Sequence, residues 1–331
     1  MRLTISDIAK KTGYAKSTVS AALNNKPGVK PKTREEIQRI AAEMNYVPNE
    51  FARNLSMRTA NTIGIIVRDI TNPFYAKICR AVENIASGHG YTTLLLNTDG
   101  IREKEQDAIK VMSGQIVSGV IIDISGKDMD LLMELDKFGL PFVVFGAAAR
   151  ELAADSVEAD DYDGAYQAAE YLYSCGHRKI GFVHGGTESV YSQRRMKGIQ
   201  DALERNGLKL EEKYIYHQAK TIQEGYLIGK KLADAQELPT AVIAYNDLVA
   251  VGIIRALEEK GMQVPADLSI IGFDDIELMT FPLTTVRIPE YEMGEKAAEL
   301  LFDKISGKGG EPKEVLLNTE LVVRKSVKRL L

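Results

Sequence analysis

Short apolar runs alternate with amphipathic stretches from Thr62 to about residue 275, and that rhythm limits the available folds more than any other feature of the chain. The runs are TIGIIV at 62–67, YTTLLLN at 91–97, GVIIDI at 119–124, PFVVF at 141–145, KIGFVH at 179–184, TAVIAY at 240–245 and LSIIGF at 268–273. Between them lie the segments 73–88, 102–115, 163–175, 190–206 and 246–260, apolar at helical spacing. A strand that is apolar on both faces needs cover on both, and strands joined by helix-length connections pair in parallel. Parallel sheets flanked by helices are therefore expected. About 260 residues would strain one such sheet. The rhythm breaks near 145–165, at GAAARELAADS. Two α/β lobes are expected, with a crossover there and later crossovers back near 275–290.

Open parallel sheets bind ligands beyond the carboxyl ends of their strands. The polar residues at those ends are Asp69, Asp123, Asn246 with Asp247, and Asp274 with Asp275. Aspartate there has a second use, capping the next helix, and Asp247 and Asp275 are read that way. The others, converging on a cleft between two lobes, suit the paired hydrogen bonds of sugar hydroxyls.

The first sixty residues differ in charge from the rest. They hold eleven Lys or Arg against five Asp or Glu, a net of +6 in a chain of net −4, so the remainder carries −10. A basic module on an acidic body suits a polyanion. Its pattern is three short helices. Thr4 and Asp7 make a capping box ahead of Ile5, Ile8 and Ala9, and Gly13 stops that helix. A second helix runs from Lys16 to Asn24, with Val19 and Leu23 inward and Lys16, Ser17, Ser20 and Asn24 outward. After Lys26-Pro27-Gly28, a third starts at Pro31 and reaches about Asn45, with Ile37, Ile40, Ala41 and Met44 as its stripe. This geometry sets a second helix for a DNA major groove, where the small Thr18, Ser20, Ala21 and Ala22 permit close approach. A generic three-helix bundle is the alternative.

At this density of motif the chain resembles the lactose/galactose repressor (LacI/GalR) family. The head matches its pattern almost continuously from Thr4 to Leu55, and NPFY at 72–75, RRMKG at 194–198, YND at 245–247, GFDD at 272–275 and PLTTVR at 282–287 follow in order. The resemblance implies a helix-turn-helix head over 1–47, a hinge helix and linker over 48–60, and a two-lobed, periplasmic-binding-protein-like body over 61–331. Lys16, Ser17 and Ser20 would then approach bases, and Thr18 and Asn24 would hold phosphates. Leu55 would wedge into the minor groove, with Thr4, Ser6, Asn49 and Ala52 completing the DNA-facing set. Ala21 stands where many members have arginine, so a methyl contact to thymine is its expected role. Ala15 replaces the serine that usually caps the recognition helix. In the body, Phe74 would lie against an effector, Arg195 would donate a bidentate pair, and Asn246 and Asp274 would hold hydroxyls. Asp123 sits where some members touch ligand. Gly146 replaces an aspartate found in some sugar binders, and the loop after Asp274 is about three residues shorter than usual.

The expectation is a cytoplasmic transcriptional repressor, homodimeric on a near-palindromic operator and controlled by a small effector, a sugar or sugar derivative, with no cofactor, metal or membrane partner. A non-sugar metabolite or a protein corepressor is the alternative control. The N-terminus lacks the apolar core of a signal peptide, which opposes a transport-system sugar-binding protein, and the tail lacks a leucine heptad for tetramerisation. An enzyme using Asp123, Asp274 and His184 lacks a nucleophile-base arrangement, and no Walker A, GxGxxG, HExxH or GxSxG motif is present. His184-Gly185-Gly186 reads as a glycine turn in preference to a phosphate cradle. Cys79 and Cys175 read as buried or half-buried thiols. If each of two heads neutralises about five phosphates, log K for the operator should fall against log salt with a slope near −9. Anisotropy titrations over a salt series measure it, and a slope shallower than about −3 would remove the head as the DNA surface.

Overall fold

The computed structural model describes residues 3–46, 61–114, 117–124, 129–146, 154–186, 189–277 and 280–330. Asn49, Ala52 and Leu55, with the hinge expected over 48–60, lie outside them. The chain divides into two compact units, Met1–Ala60 and Asn61–Leu331.

In the first unit, α1 (Ile5–Thr12), α2 (Lys16–Leu23) and α3 (Pro31–Glu43) follow the predicted signals. The Thr4 N–H and hydroxyl donate to the Asp7 carboxylate at 2.9 and 2.7 Å, which holds that acid below its ordinary value. Gly13 takes φ 73° and donates its N–H to the Ala9 carbonyl, closing α1. Pro31 opens α3, where its missing N–H costs nothing. Ile8, Val19, Ala22, Ile37 and Ala41 form the core. One expectation changes here. Ala22, placed toward the groove by the sequence, is fully buried, while Leu23, expected inward, packs half-buried against this core. Both α1 and α3 pack on α2, so the pair Val19 and Ala22 faces the middle, and alanine lets the helices close on each other.

The second unit has the two expected lobes. The first contains β1 (Thr62–Val67), α4 (Pro73–Gly88), β2 (Thr92–Asn97), α5 (Arg102–Ser113), β3 (Gly119–Ile122), α6 (Met129–Lys137), β4 (Phe142–Phe145) and β5 (Ser156–Ala159). The second contains α7 (Asp161–Ser174), β6 (Ile180–His184), α8 (Val190–Arg205), β7 (Ile215–His217), α9 (Ile222–Ala233), β8 (Ala241–Ile243), α10 (Asp247–Glu259), β9 (Ser269–Asp274) and β10 (Thr284–Arg287). The chain then returns to the first lobe for α11 (Glu290–Ile305) and β11 (Glu314–Leu317), and finishes in the second with β12 (Glu320–Val322). The sheets run β11-β5-β4-β3-β1-β2 and β12-β10-β9-β8-β6-β7. The first is parallel throughout; in the second, β12 lies antiparallel to β10. The chain therefore crosses between lobes at 160, at 288–289 and at 318–319.

Burial on both faces explains the unbroken apolar runs. On β1, Ile63, Ile65 and Val67 belong to a core shared with Ile78 and Val82 of α4 and Met293 and Ala297 of α11. Ile66 joins the opposite core, with Ile109 and Met112 of α5.

Neither Asp247 nor Asp275 caps a helix, contrary to the sequence reading. Asn246 caps α10, its Oδ1 accepting from the Val249 N–H at 2.8 Å. Asp247 instead accepts from the Ile276 N–H at 2.9 Å and the Thr285 hydroxyl at 2.6 Å, in a space so tight that a Cβ on Gly272 would lie 2.1 Å from its Oδ1. Burial pushes this carboxyl up to about 7, against the pull of both hydrogen bonds. Burial also pushes Asp275 upward, but pairing with Arg324 and with Arg287, at 2.5 and 2.8 Å, outweighs it and holds that acid low. Because the folded value of Asp247 lies above the unfolded one, its favourable neutral form is fully present below about pH 4, and that stability is lost as pH rises toward 7. Asn at 247 imitates the neutral form. Thermal melts should show wild type losing more stability than Asp247→Asn between about pH 4 and about pH 8. Parallel losses would refute the assignment.

Candidate functional site

The carboxyl ends of β1, β3, β4 and β9 converge on a cavity between the lobes. Phe74, Asp123, Arg195, Asn246 and Asp274 all line it. Asp69, the remaining candidate at a strand end, accepts from the Thr71 N–H and hydroxyl at 2.9 and 2.6 Å in its own turn. Arg68, one residue earlier, lines the cavity instead. Sequence reasoning also missed Tyr75, Asp161, Tyr191 and Tyr245. The signal for Arg68 was the two-residue period of a strand, which carries residues 68 and 69 to opposite sides. Tyr191 and Arg195 are four apart on α8 and so share a face.

Charge inside the cavity is paired. The Asp123 carboxylate, 2% exposed, accepts from the Tyr75 hydroxyl at 2.5 Å, from Arg68 Nε at 3.1 Å and from the Tyr191 hydroxyl at 3.3 Å. Arg195 Nε donates to Asp161 at 2.6 Å, and its Nη1 donates to the Tyr245 carbonyl. The same guanidinium lies 4.0 Å from the ring centroid of Phe273. Arg195 is therefore largely engaged by protein, and a two-pronged grip on a ligand is left to the Nη hydrogens that these bonds do not use. Asn246 is similarly committed, capping α10 and donating Nδ2 to the Lys220 carbonyl at 3.1 Å. Asp274 is 4% exposed and stands at φ 110°, a strained backbone of the kind that clusters at ligand sites. Burial pushes its carboxyl well above the ordinary range, Asp247 adds to this, and Arg195 opposes it. An acid that keeps its proton donates as well as accepts.

The glycine turn after β6 is spent on its own structure. The Gly185 N–H donates to the Ser192 hydroxyl at 2.9 Å and the Gly186 N–H to His184 Nδ1 at 3.1 Å, so neither is directed at a phosphate. Among the described residues, no three His, Cys, Asp or Glu gather in a metal-binding group, and no helix is long and apolar enough to cross a membrane.

On the head, Lys16 and Ser17 are exposed in the first turn of α2, while Thr18, Ser20 and Ala21 are half-buried along it. Ala15 precedes α2 and supplies no cap, so the first amide groups keep their hydrogens for an anion. Thr4 is exposed and Ser6 half-buried at the start of α1. Asn24 folds its amide onto the Ser20 carbonyl at 2.8 Å. Arg34 and Gln38 of α3 hold the turn after α2, bonding the Lys26 carbonyl at 2.5 Å and Asn25 at 3.1 Å.

Residues 4–49 match the model for bacterial regulatory proteins of the lacI family, and residues 169–327 match a periplasmic binding protein-like domain. The HTH-type transcriptional repressor PurR of Vibrio vulnificus (strain CMCP6) is 33% identical over 331 residues, 99% of each chain. The transcriptional regulator CelR–cellobiose complex is 31% identical, with a TM-score of 0.75 over 98% of this chain and 100% of that one. The lac repressor dimer bound to operator and the anti-inducer ONPF is 26% identical, with a TM-score of 0.84 over 99% of this chain and 100% of that one. With a basic three-helix head, a two-lobed body and relatives that are repressors and not enzymes, the chain belongs to the LacI family of DNA-binding transcriptional repressors.

Proposed function

We propose that this repressor works in the cytoplasm as a homodimer on a near-palindromic operator, and that a neutral, hydroxyl-rich ligand in the cavity between the lobes sets its DNA affinity. A sugar or sugar derivative fits best. The observation that carries the reading is that each cavity arginine already has its carboxylate, Arg68 with Asp123 and Arg195 with Asp161. A cavity whose cations are neutralised from within offers little extra attraction to a phosphate or carboxylate ligand. What it offers is hydrogen-bonding edges between the rings of Phe74, Tyr75 and Tyr245, an arrangement suited to a ring with a flat face and polar rim. The relative in complex with cellobiose supports the same class.

On DNA, Lys16, Ser17 and Ser20 face bases, Ala21 meets a thymine methyl, and Thr4, Ser6, Thr18 and Asn24 contact the backbone. Asn49, Ala52 and Leu55 act from the hinge. Ligand and DNA are linked: a ligand that prefers one lobe arrangement changes operator affinity by the same factor by which operator changes ligand affinity.

Operator binding measured against a panel of neutral sugars, nucleosides and their phosphate esters tests this. A neutral member should shift affinity and its phosphate ester should not; a stronger effect from the ester would overturn the proposed class. Asp274→Ala should weaken the active ligand about ten- to a hundredfold, the worth of one or two lost hydrogen bonds, without lowering Tm, because among the described residues its buried carboxyl holds no hydrogen bond to protein. Unchanged ligand affinity would exclude Asp274 from the contact set.

A further inference from the structure

We infer that Tyr191 sets the size of ligand this cavity accepts, standing inside it against Gly146 as a built-in occupant. The inference rests on the cavity being the ligand site. Tyr191 is the second residue of α8 in the second lobe, yet its hydroxyl reaches the first-lobe wall. There it donates to Asp123 Oδ1 at 3.3 Å and lies 3.5 Å from the Phe145 carbonyl, one hydrogen serving two acceptors. The space it fills exists because residue 146 has no side chain. Gly146 follows β4 at φ 88°, and a Cβ built on it would lie 2.1 Å from the Tyr191 oxygen and 2.8 Å from Cζ. Real Cβ atoms do not approach so closely, so any side chain at 146 would push the Tyr191 phenol out of this position. The Arg68 guanidinium carbon stands 5.2 Å from the ring centroid and holds it on one side.

Two consequences follow. A ligand cannot extend through the volume above Gly146 while the phenol is there. A ligand hydroxyl directed at Asp123 Oδ1 must also compete with a donor already in place. The cavity as built therefore favours a ligand compact at this end, a single ring, over one that continues into a second. Removing the ring opens the space and frees one acceptor of Asp123.

The test uses the full chain, with D-ribose and cellobiose as probes in calorimetric titration and with thermal melts for the packing. Tyr191→Ser should move the ratio of cellobiose to ribose affinity at least tenfold toward cellobiose. A ratio within about threefold of wild type would overturn the inference, that difference being under about 0.7 kcal/mol. The melts need no ligand. Gly146→Ala should lower Tm more in wild type than in the Tyr191→Ser background, since the cost of positive φ is common to both and only the displacement of the phenol is removed. Equal losses would show that Tyr191 does not depend on Gly146 and would also overturn it. Coupled melts with neither sugar bound by either protein would retire the ligand-site reading, and the size limit with it. Coupled melts with sugar bound and an unchanged ratio would retire the size limit alone.

Discussion

A guanidinium held at 5% exposure needs an anion beside it, and the Arg195–Asp161 pair is the contact on which the arrangement of the cleft depends. Asp161 opens α7 immediately after the chain first changes lobes, Arg195 lies on α8, and the same guanidinium ties down the Tyr245 carbonyl just beyond β8 and covers a ring of β9. One side chain thus fixes four elements around the wall that a ligand meets. Removing either partner leaves a buried charge uncompensated, a loss of about 3–5 kcal/mol in comparable sites. Arg195 therefore cannot be separated from folding as simply as its motif implies. Asp274, which has little to hold, reports on ligand more directly.

Legibility followed the physics of each element. The doubly covered strands β1, β3, β6 and β9 were plain because burial on both faces leaves an unbroken apolar run. β5, β7, β10, β11 and β12 lie toward sheet edges and carry polar or charged residues within their three or four positions, so no unbroken apolar run marks them. The last crossing, at 318–319, went unseen because it joins two such strands. Within the site, residues at strand ends and in family motifs were found. Tyr191 was not, since its importance comes from a glycine 45 positions earlier in the chain, and no local pattern records that pairing.

The head shows a smaller version of the same economy. Its buried core is Ile8, Val19, Ala22, Ile37 and Ala41, with Ile5, Ala9, Tyr14, Leu23, Val29, Met44 and Tyr46 packed around it. Alanine at 22 serves the core, alanine at 15 leaves a helix start uncapped, and alanine at 21 is only half-buried. One residue type at three neighbouring positions has three different environments, which composition alone cannot distinguish.

Each lobe of the body is assembled from pieces distant in sequence, and this bears on how the chain emerges from the ribosome. β5 pairs on one side with β4 but waits on the other for β11, whose residues are made about 155 positions later. Until then the first sheet presents an unpaired parallel edge, a surface prone to pairing with foreign strands. α11, which lies across β3, β4 and β5, is also synthesised late. Neither lobe is finished before the second is nearly complete, so during translation the head can close its small core long before the body it serves has one.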